Sequence, residues 1–527
     1  MKIFNINRQV ANIFFVLFLF IFSACEKYKP VYQYSENEKI TATGLEALYQ
    51  VTSGNDVLTI DPTISSNKTG DLKCVWGIYE TNTQGTNPVM DTLARTKKLE
   101  YKVNRSAKDW YLMLRVTNSR TGYSQYFKST VRVGTIYTRG WYIPKDDGSQ
   151  TDMDFFATPA TSSMPSNNTK IENVYSLMQG KKLEGKAIML SFFVNFKSMV
   201  NGSYVSTRSL SLVSEKDVSM MDLSNLQVYR NFDNIFQAAP TPRKMDVVTT
   251  DFLKYFLINN GQLYSMVGQG YSEGIFGGRK LLTSNDNPYH LSKHQIIPSA
   301  GTAYFFDEMS SAFYAGTDRS LYLGAVTINT ARLDNNPVTP ASAAATNKKL
   351  IYMGNKVYGS SGGGAPGGYV IFQDKTNPTI KTMYQVGSAG PNGLTLNAGV
   401  TISTASKLFN ATHYGLLFGD ENLLYFSSGK EIYSYNLNSN TEQLQYTVPN
   451  DEEITFIRHR KLTGADAYNY VMIGTQSGQN YKVRLFNKTT GNLNTEPSVT
   501  LTGKGRPVDA LYVSPTVTTE LVYSYTF

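Results

Sequence analysis

The stretch LLYFSSGKEIYSYNLNSN, residues 423–440, reads as two short strands around a tight turn, followed by a polar loop. Aromatic and aliphatic residues dominate both strands, and Ser-Gly-Lys separates them. Tight hairpin turns need positive φ angles, which glycine and asparagine adopt without strain. The stretch therefore predicts a β-hairpin.

The same pattern recurs along the chain from residue 141 onward. Counting the opening stretch, the copies are 141–155, 210–220, 256–266, 313–323, 350–358, 423–435 and 470–483. Their starts lie 37 to 73 residues apart. The average unit of about 55 residues has room for a four-stranded propeller blade, which needs roughly 40 to 50 residues. A lone hairpin leaves an apolar face and bare edges, and a ring of stacked blades covers both.

These repeats predict an all-β chain in which residues 136–527 form a β-propeller, with seven blades. A long array of β-sandwiches is the alternative architecture. Such an array would produce longer and more regular units than the ones observed.

Residues 40–135 precede the repeats and alternate apolar and polar residues in a different spacing. The strand-like runs are 57–60, 74–79, 99–101, 110–117 and 126–133. A length near 95 residues, five or more strands and a tryptophan, Trp76, on a central strand favour an immunoglobulin-like β-sandwich. Trp76 is expected in its core, and Cys74, two residues away on the same face, is expected to be a small buried hydrophobe.

The amino terminus has the pattern of an export signal. Lys2 and Arg8 precede an apolar run, 13–22, that ends in Ser23-Ala24-Cys25. Such a run predicts a signal peptide over residues 1–24, since it is far shorter than the roughly 20 apolar residues of a membrane-spanning helix. Small residues before a cysteine also resemble a lipobox, which predicts cleavage before Cys25 and lipid attachment to it. The alternative is a free cysteine in an exported protein that is cut elsewhere.

Residues 25–39 lack an apolar period and are interpreted as a lipidated flexible tether. Once Cys25 is acylated, Cys74 is the only cysteine left, so the mature chain can form no intramolecular disulfide. An exported protein without disulfides depends on burial for its stability, and this chain is large enough to do so.

Composition and charge bear on the class of partner. The chain has 36 Tyr and 27 Phe, only 17% charged residues and a net charge of +9. Aromatic enrichment favours strands. No basic run has the interleaved aromatics of a nucleic-acid site, and we expect no nucleic-acid partner.

Candidate catalytic and metal-binding motifs are weak. Of the four histidines, His290 and His294 have the spacing of two metal ligands on a helix, but they lack the following glutamate and are interpreted as a loop pair without metal. His413 and His459 stand apart from any motif, the glycine clusters 268–274 and 503–506 read as turns, and the stretch 359–368 reads as a loop or a flap over a binding face. Carboxylate pairs occur at Asp146-Asp147, interpreted as a hairpin turn, and at Glu452-Glu453. We therefore predict no catalytic residue, metal or cofactor, and the sequence identifies no ligand-binding residue.

Several segments together resemble the PKD-like family of surface lipoproteins of Bacteroidota. The similarity runs through nearly all of the mature chain and is carried by Cys25 and by residues 58–62, 74–76, 110–117, 140–142, 425–435 and 452–455. The resemblance implies a PKD-like sandwich and a lipid-anchored protein of the outer membrane that faces the cell exterior. It also implies partners: a TonB-dependent SusC-like transporter and its SusD-like lidding lipoprotein, which import oligopeptides or glycans.

The expected function is therefore a non-catalytic accessory, which docks on such an importer or captures its ligand. Two alternatives stay open. One is a structural or adhesive surface protein, and the other is a hydrolase with its site in the propeller mouth.

Overall fold

The computed structural model describes residues 37–54, 56–80, 89–159, 162–165, 170–200, 202–251, 253–268, 273–299, 302–317, 320–325, 327–328, 347–356, 367–388, 393–397, 399–464 and 466–517. The predicted signal peptide, Cys25 and most of the predicted tether lie outside these residues, as does most of the stretch 359–368. Within the described chain, the helical elements are one α-helix, Val174–Gln179 (α1), and two 3-10 turns, Ile136–Thr138 and Lys407–Asn410. The prediction of an all-β protein is confirmed. Among the helices of the described residues, none has the length and hydrophobicity needed to traverse a bilayer.

Nine strands build the N-terminal region. They are β1 (Ile40–Thr43), β2 (Leu48–Thr52), β3 (Val57–Ile60), β4 (Thr63–Ser66), β5 (Leu72–Glu80), β6 (Asp91–Ala94), β7 (Leu99–Lys102), β8 (Lys108–Asn118) and β9 (Ser124–Gly134). A five-stranded sheet has the order β2-β9-β8-β5-β6, and β1-β4 and β3-β7 form two-stranded sheets. All five strand-like runs predicted here are strands.

One hydrophobic core joins these three sheets. Alternate residues of β8, from Trp110 to Val116, face this core, as a two-residue period requires. Trp76 is 1% exposed, and its indole N–H donates to the backbone oxygens of Thr96 and Lys97. Trp76 and Cys74 both belong to the core, as predicted.

The remaining strands follow from residue 140. They are β10 (Gly140–Asp146), β11 (Gln150–Ala157), β12 (Lys170–Ile171), β13 (Leu183–Glu184), β14 (Ala187–Val200), β15 (Ser203–Ser214), β16 (Val218–Asp222), β17 (Val228–Asn231), β18 (Met245–Thr250), β19 (Lys254–Asn259), β20 (Gln262–Val267), β21 (Leu291–Ser299), β22 (Thr302–Asp307), β23 (Ala312–Ala315), β24 (Gly324–Ala325), β25 (Thr327–Ile328), β26 (Lys348–Asn355), β27 (Gly368–Asp374), β28 (Lys381–Ser388), β29 (Gly393–Leu396), β30 (Val400–Ile402), β31 (Tyr414–Leu416), β32 (Leu423–Ser428), β33 (Glu431–Asn436), β34 (Thr441–Thr447), β35 (Glu453–Leu462), β36 (Tyr468–Ser477), β37 (Asn480–Phe486), β38 (Lys488–Thr489), β39 (Asn492–Leu493), β40 (Val499–Lys504), β41 (Arg506–Pro507) and β42 (Leu511–Val513).

Within the described residues, these strands form seven sheets and one separate hairpin, β38-β39. Sheet A contains β10 to β13, β41 and β42; sheet B, β14 to β17; sheet C, β18 to β20; sheet D, β21 to β24; sheet E, β25 to β30; sheet F, β31 to β34; and sheet G, β35 to β37 and β40. Apart from the parallel pair β25-β29 in sheet E, neighbouring strands within these sheets are antiparallel.

Each of these sheets shares an apolar core with the sheet before it and the sheet after it. One cluster joins sheet A with sheets B and G, and a second joins sheets B, C and D. Three further clusters join D with E, E with F, and F with G. Strands between two such cores are buried on both faces, which explains continuous apolar runs such as YFLI in β19.

Sheet A is assembled from two distant parts of the chain. Strand β10 pairs with β11 on one side and with β41 and β42 on the other. Gly140 is opposite Val513, and Asp146 is opposite Arg506. The last strands of the described chain are thereby hydrogen-bonded to the first strand of the repeated region.

Five of the predicted hairpins are present, as β10-β11, β15-β16, β19-β20, β32-β33 and β36-β37. The opening stretch forms β32-β33, with Gly429 (φ 62°) as the first of two turn residues. The β19-β20 turn uses Asn260 (φ 50°) and Gly261 (φ 70°), so both central residues have a positive φ. These are the positions at which two-residue hairpins require such angles.

The hairpin predicted at 313–323 has its second strand in the wrong place. Strand β23 pairs with the following strand β24, at Gly324–Ala325, and not with 321–323, where Tyr322 forms an isolated parallel bridge with Leu281. Its other edge pairs with β22, and in the turn between β22 and β23 the Asp307 carboxylate accepts hydrogen bonds from the backbone N–H groups of Met309 (3.2 Å) and Ser310 (3.0 Å).

The turn predicted at Gly354-Asn355 is also wrong. Strand β26 continues through both residues and pairs with β27, and the predicted second strand, 357–358, lies outside the described residues. A Cβ atom at Gly354 would lie 2.1 Å from the Tyr352 hydroxyl, so the glycine makes room for that side chain and does not turn the chain.

Candidate ligand-binding cavity

A cavity of about 350 Å³ lies where six of the sheets converge. Its lining comes from β14, β21, β26, β31, β35 and β41 and from residues next to β31 and β41. These strands belong to sheets B, D, E, F, G and A, and each is an edge strand of its sheet. The cavity therefore exists only when these distant parts of the chain are folded together.

Nitrogen-bearing side chains dominate the polar part of the lining. Strand β21 contributes Lys293 and His294, β35 contributes Arg458, β41 contributes Arg506, and His413 precedes β31. None of the described residues that line the cavity is acidic. The lining thus has a positive character.

Two carboxylates act on this group from outside the lining. Asp509 is shared by two arginines: its Oδ2 accepts from Arg460 Nη2 at 2.9 Å, and its Oδ1 is 3.8 Å from Arg458 Nε. Asp246 acts electrostatically on Lys293. The cations of the cavity are therefore only partly compensated by these two acids.

Desolvation and neighbouring positive charges lower the pKa values of two side chains that line the cavity. Partial desolvation lowers the pKa of Lys293, and the charge of Arg458 lowers it further, against the opposing effect of Asp246. Burial, together with the charges of Arg458 and Arg506, lowers the pKa of His413 to about 4. His413 is therefore neutral at pH 7.

Aromatic rings form another part of the wall. Tyr352 and Tyr414 are stacked, with ring centroids 4.9 Å apart and planes at 23°. The hydroxyl of Tyr414 donates to the backbone oxygen of Ala411 at 3.1 Å. The tyrosines can therefore offer ring surface to a ligand beside the cationic groups.

Thr455, which lines the same cavity, has a buried hydroxyl group without a hydrogen-bond partner among the described residues. The residue is 6% exposed. Buried hydroxyls are normally satisfied, because an unmade hydrogen bond costs about 1 to 3 kcal/mol. Thr455 therefore places an unsatisfied hydroxyl group at the wall of the cavity.

His413 and Ser427 form a contact that resembles part of a catalytic dyad. His413 Nδ1 lies 3.0 Å from Ser427 Oγ, and Thr412 Oγ1 lies 3.0 Å from the same oxygen. Ser427 is completely buried, so a substrate has no access to its hydroxyl. The contact positions the imidazole at the wall.

A second cavity, of about 690 Å³, lies between the N-terminal sheets and sheet B. Arg132 spans it with a bidentate ion pair to Asp109, at 2.8 and 2.9 Å. Across the junction, Thr135 Oγ1 donates to the backbone oxygen of Ser224 at 2.7 Å. The ion pair lies within the N-terminal sheet, and the Thr135 bond attaches this region to the repeated region.

The histidines singled out from the sequence are separated in the structure. His290 lies in the loop before β21, but His294 lies within that strand, so the prediction of a loop pair is wrong for His294. Only His294 and His413 reach the cavity. His459 is buried, accepts from the Phe418 backbone N–H through Nδ1 at 3.0 Å, and contacts Asn469 Oδ1 through Nε2 at 2.8 Å. Within the described residues, no group of three His, Cys, Asp or Glu side chains has the arrangement of a metal site.

The two carboxylate pairs are structural. Asp147 lies in the β10-β11 turn, as predicted, where its Oδ1 accepts from the backbone N–H groups of Ser149 and Gln150. Glu452 is 1% exposed and is held by Arg484, through two hydrogen bonds of 2.6 and 2.7 Å. Neither pair lines the cavity.

The basic residues of the cavity were not predicted from the sequence as a site. Lys293, Arg458 and Arg506 are separated by 165 and 48 positions, so no motif connects them. One signal was available: the basic run RHRK, residues 458–461, directly follows the largely apolar ITFI in the same strand. A basic residue in such a strand indicates a partner or a polar cavity.

Comparison with solved structures gives distant similarities only. A quinonprotein alcohol dehydrogenase-like protein from Bacteroides thetaiotaomicron is 13% identical, with 91% of this chain and 100% of that chain covered and a TM-score of 0.38. A putative 6-phosphogluconolactonase from Bacteroides uniformis is 12% identical, with 84% and 99% covered and a TM-score of 0.33. We draw no functional conclusion from either.

A search of curated proteins gives no match. A family comparison does: residues 28–187 match the model described as the PKD-like family. The matched segment includes the N-terminal sheets and continues through β10 to β13 of sheet A. The chain thus contains a PKD-like family domain.

Proposed function

We propose that the protein is a lipid-anchored, non-catalytic accessory of an outer-membrane nutrient importer. In this proposal a PKD-like, immunoglobulin-like sandwich connects the anchor at Cys25 to a seven-bladed β-propeller. The propeller captures a ligand, a glycan or an oligopeptide, in its central cavity. Its partners are a SusC-like transporter and a SusD-like lipoprotein at the cell exterior.

The arrangement of sheets A to G supports the propeller. Each sheet shares a core with its two neighbours along the chain, and sheet G shares one with sheet A. A row of sheets whose last member packs on its first is the pattern of a ring. Strands β41 and β42, paired with β10, would close that ring in the same way.

The observation that carries the capture role is the cavity itself. Edge strands of six sheets meet around about 350 Å³, which is within the usual size range of small-molecule sites. Its lining combines cationic donors with stacked tyrosines, which are groups that hold and orient a ligand. The Ser427 hydroxyl beside His413 is buried, so this contact offers no nucleophile for a reaction.

The anchor rests on the amino-terminal sequence. Each buried methylene of an acyl chain contributes about 0.8 kcal/mol, so the several chains of a lipoprotein would hold the protein on the membrane permanently. Residues 25–39 can extend to roughly 45 to 50 Å, which would keep the folded domains clear of the lipid headgroups.

A pull-down of the tagged full chain from outer membranes in mild detergent tests this proposal. We expect the transporter and its lidding lipoprotein to co-purify, and an intact mass that shows cleavage before Cys25 with acyl chains attached. The matched control is Cys25→Ser, which changes no described residue and should move the protein out of the membrane fraction. A wild-type protein without acyl chains, or one that co-purifies with host or matrix proteins and with no transporter, would contradict the proposal.

A further inference from the structure

We propose that the cavity binds a small organic carboxylate, held by Lys293, Arg458 and Arg506. This inference deepens the ligand-capture role proposed above and rests on it. It concerns the chemical class of the ligand, which the arrangement of charges in the cavity can identify.

The charges of the lining favour an anion. Lys293, Arg458 and Arg506 come from three different sheets and line one cavity, with no acidic residue among its described lining. Like charges brought together in one cavity repel each other, and the charge of Arg458 already disfavours the protonated form of Lys293. An anion in the cavity would reverse this effect, because its charge attracts all three cations.

The neighbouring acids do not remove this requirement. Asp509 lies between two arginines, 2.9 Å from Arg460 and 3.8 Å from Arg458. The closer contact satisfies Arg460. Arg458 Nη1 also donates to the backbone oxygen of Ile457 at 2.9 Å, and a carboxylate supplied by a ligand would add to these contacts the planar, two-donor geometry that guanidinium groups favour.

Thr455 points to a ligand independently of charge. Thr455 lines the same cavity, and its Oγ1 is buried and has no hydrogen-bond partner among the described residues. Its O–H can donate to a carboxylate oxygen, a bond that is stronger than one between neutral groups. A polar group left without a partner at the wall of a cationic cavity indicates that a ligand completes the site.

The rest of the lining favours an organic over an inorganic anion. A cavity of about 350 Å³ is several times the volume of roughly 30 Å³ that a water molecule occupies in the liquid. The stacked rings of Tyr352 and Tyr414 provide an apolar surface next to the cations. A carboxylate attached to a sugar ring or to a short peptide would use both parts of the site.

Isothermal titration of the full chain, purified in detergent, tests the inference with two matched pairs of probes. Galacturonate and galactose differ by a carboxylate on a sugar, and N-acetylglycine and N-acetylglycinamide differ by a carboxylate on a peptide unit. We expect the acid of at least one pair to bind about tenfold or more tightly than its neutral counterpart. The pair that discriminates identifies the source of the carboxylate. The inference is overturned if neither pair does, or if inorganic phosphate binds as tightly as the acids.

Three variants assign the binding to this cavity. Arg506→Gln should reduce the affinity for the acid about tenfold or more, while the neutral probe is unaffected. Thr455→Val should reduce it several-fold without lowering the melting temperature, since the hydroxyl it removes has no partner in the protein. Arg120→Gln is the matched control, because it removes the same charge from an exposed turn after β8. Wild-type affinity in Arg506→Gln, or equal losses in Arg506→Gln and Arg120→Gln, would overturn the assignment.

The two proposals fail separately. A protein that co-purifies with the importer but does not discriminate the acids retains the proposed function and loses this inference. A protein that binds a carboxylate through Arg506 but has neither acyl chains nor a transporter retains the carboxylate site and loses the importer role.

Discussion

Two arginines of sheet G, the buried Arg484 and the largely buried Arg458, lie in opposite settings. Arg484 donates twice to the Glu452 carboxylate, at 2.6 and 2.7 Å, whereas Arg458 lies 3.8 Å from a carboxylate that already binds Arg460. Burial alone lowers the pKa of both guanidinium groups. For Arg484 the hydrogen bond to Glu452 outweighs burial and the pKa is raised, but for Arg458 the pKa stays lowered despite the opposing effect of Asp509.

The difference indicates two roles for an arginine in this sheet. Arg484 forms its ion pair within the protein, with Glu452, so its role is to stabilise sheet G. Arg458 lines a cavity together with other cations, so a ligand in the cavity can reach it.

Removal of Arg484 should have the largest effect. Arg484→Met leaves Glu452 buried with fewer donors, and breaking a buried ion pair from one side costs about 3 to 5 kcal/mol. Urea unfolding should show this loss as a lower midpoint. Lys482→Met is the control, because the lysine bonds to the same carboxylate but is 48% exposed, and its loss should cost less than about 1 kcal/mol. Equal midpoints for Arg484→Met and wild type would show that the ion pair between Arg484 and Glu452 does not stabilise the protein.

The Glu452 site should also make the free energy of unfolding depend on pH. Burial would raise the pKa of Glu452, but hydrogen bonds from Arg484, Thr475 and Lys482 outweigh it and lower the pKa from 4.5 to about 2. A depressed pKa in the folded protein stabilises it above pH 4.5, and this contribution is lost as the pH falls to 2. The amount is about 3 kcal/mol.

Glu452→Gln removes the titrating group and is the comparison for that measurement. The difference in unfolding free energy between wild type and this variant should shrink by about 3 kcal/mol between pH 5 and pH 2. A difference that stays constant over this range would show that Glu452 is not held as the structure indicates.

Removal of Arg458 should change stability little. Asp509 keeps its 2.9 Å bond to Arg460 in Arg458→Met, and the substitution relieves the repulsion between the two arginines. We expect a change of less than about 1 kcal/mol in the unfolding free energy, measured in the same urea titrations. A loss as large as that of Arg484→Met would mean that the two arginines have the same structural role.

The smallest effect concerns the pH dependence of ligand binding. His413 shares the cavity with Lys293, His294, Arg458 and Arg506, and burial with the charges of both arginines lowers its pKa to about 4. Protonation would add a positive charge, so affinity for a carboxylate should rise a few-fold as the pH falls from 7 to 5. Titrations of His413→Gln should lack this rise, and a rise of the same size in that variant would exclude His413 as its source.

The sequence predicted the repeated hairpins where local chemistry decides them. In LLYFSSGKEIYSYN the strands alternate and Gly429 takes the positive φ of the turn, so both signals are contained in a dozen residues. Gly354-Asn355 has the composition of a turn but lies within strand β26. There the glycine is needed for the space occupied by Tyr352, a contact that no local pattern reveals.

The cavity could not be predicted for a related reason. Its residues lie on edge strands of separate sheets, and only the packing of those sheets brings them together. The sequence did contain isolated signals, such as the basic residues 458–461 that follow an apolar run in β35. It did not show which basic residues line a common cavity and which, like Arg484, form an ion pair with a carboxylate.

The pairing of β10 with β41 and β42 has a consequence for the order in which the protein can fold. The partner strands are separated by about 365 residues, so they can pair only once nearly the whole chain is present. Until then, this edge of Gly140–Asp146 lacks the strands that pair with it in the folded protein. A chain shortened before Arg506 would retain that open edge for its lifetime and would be a target for aggregation or proteolysis.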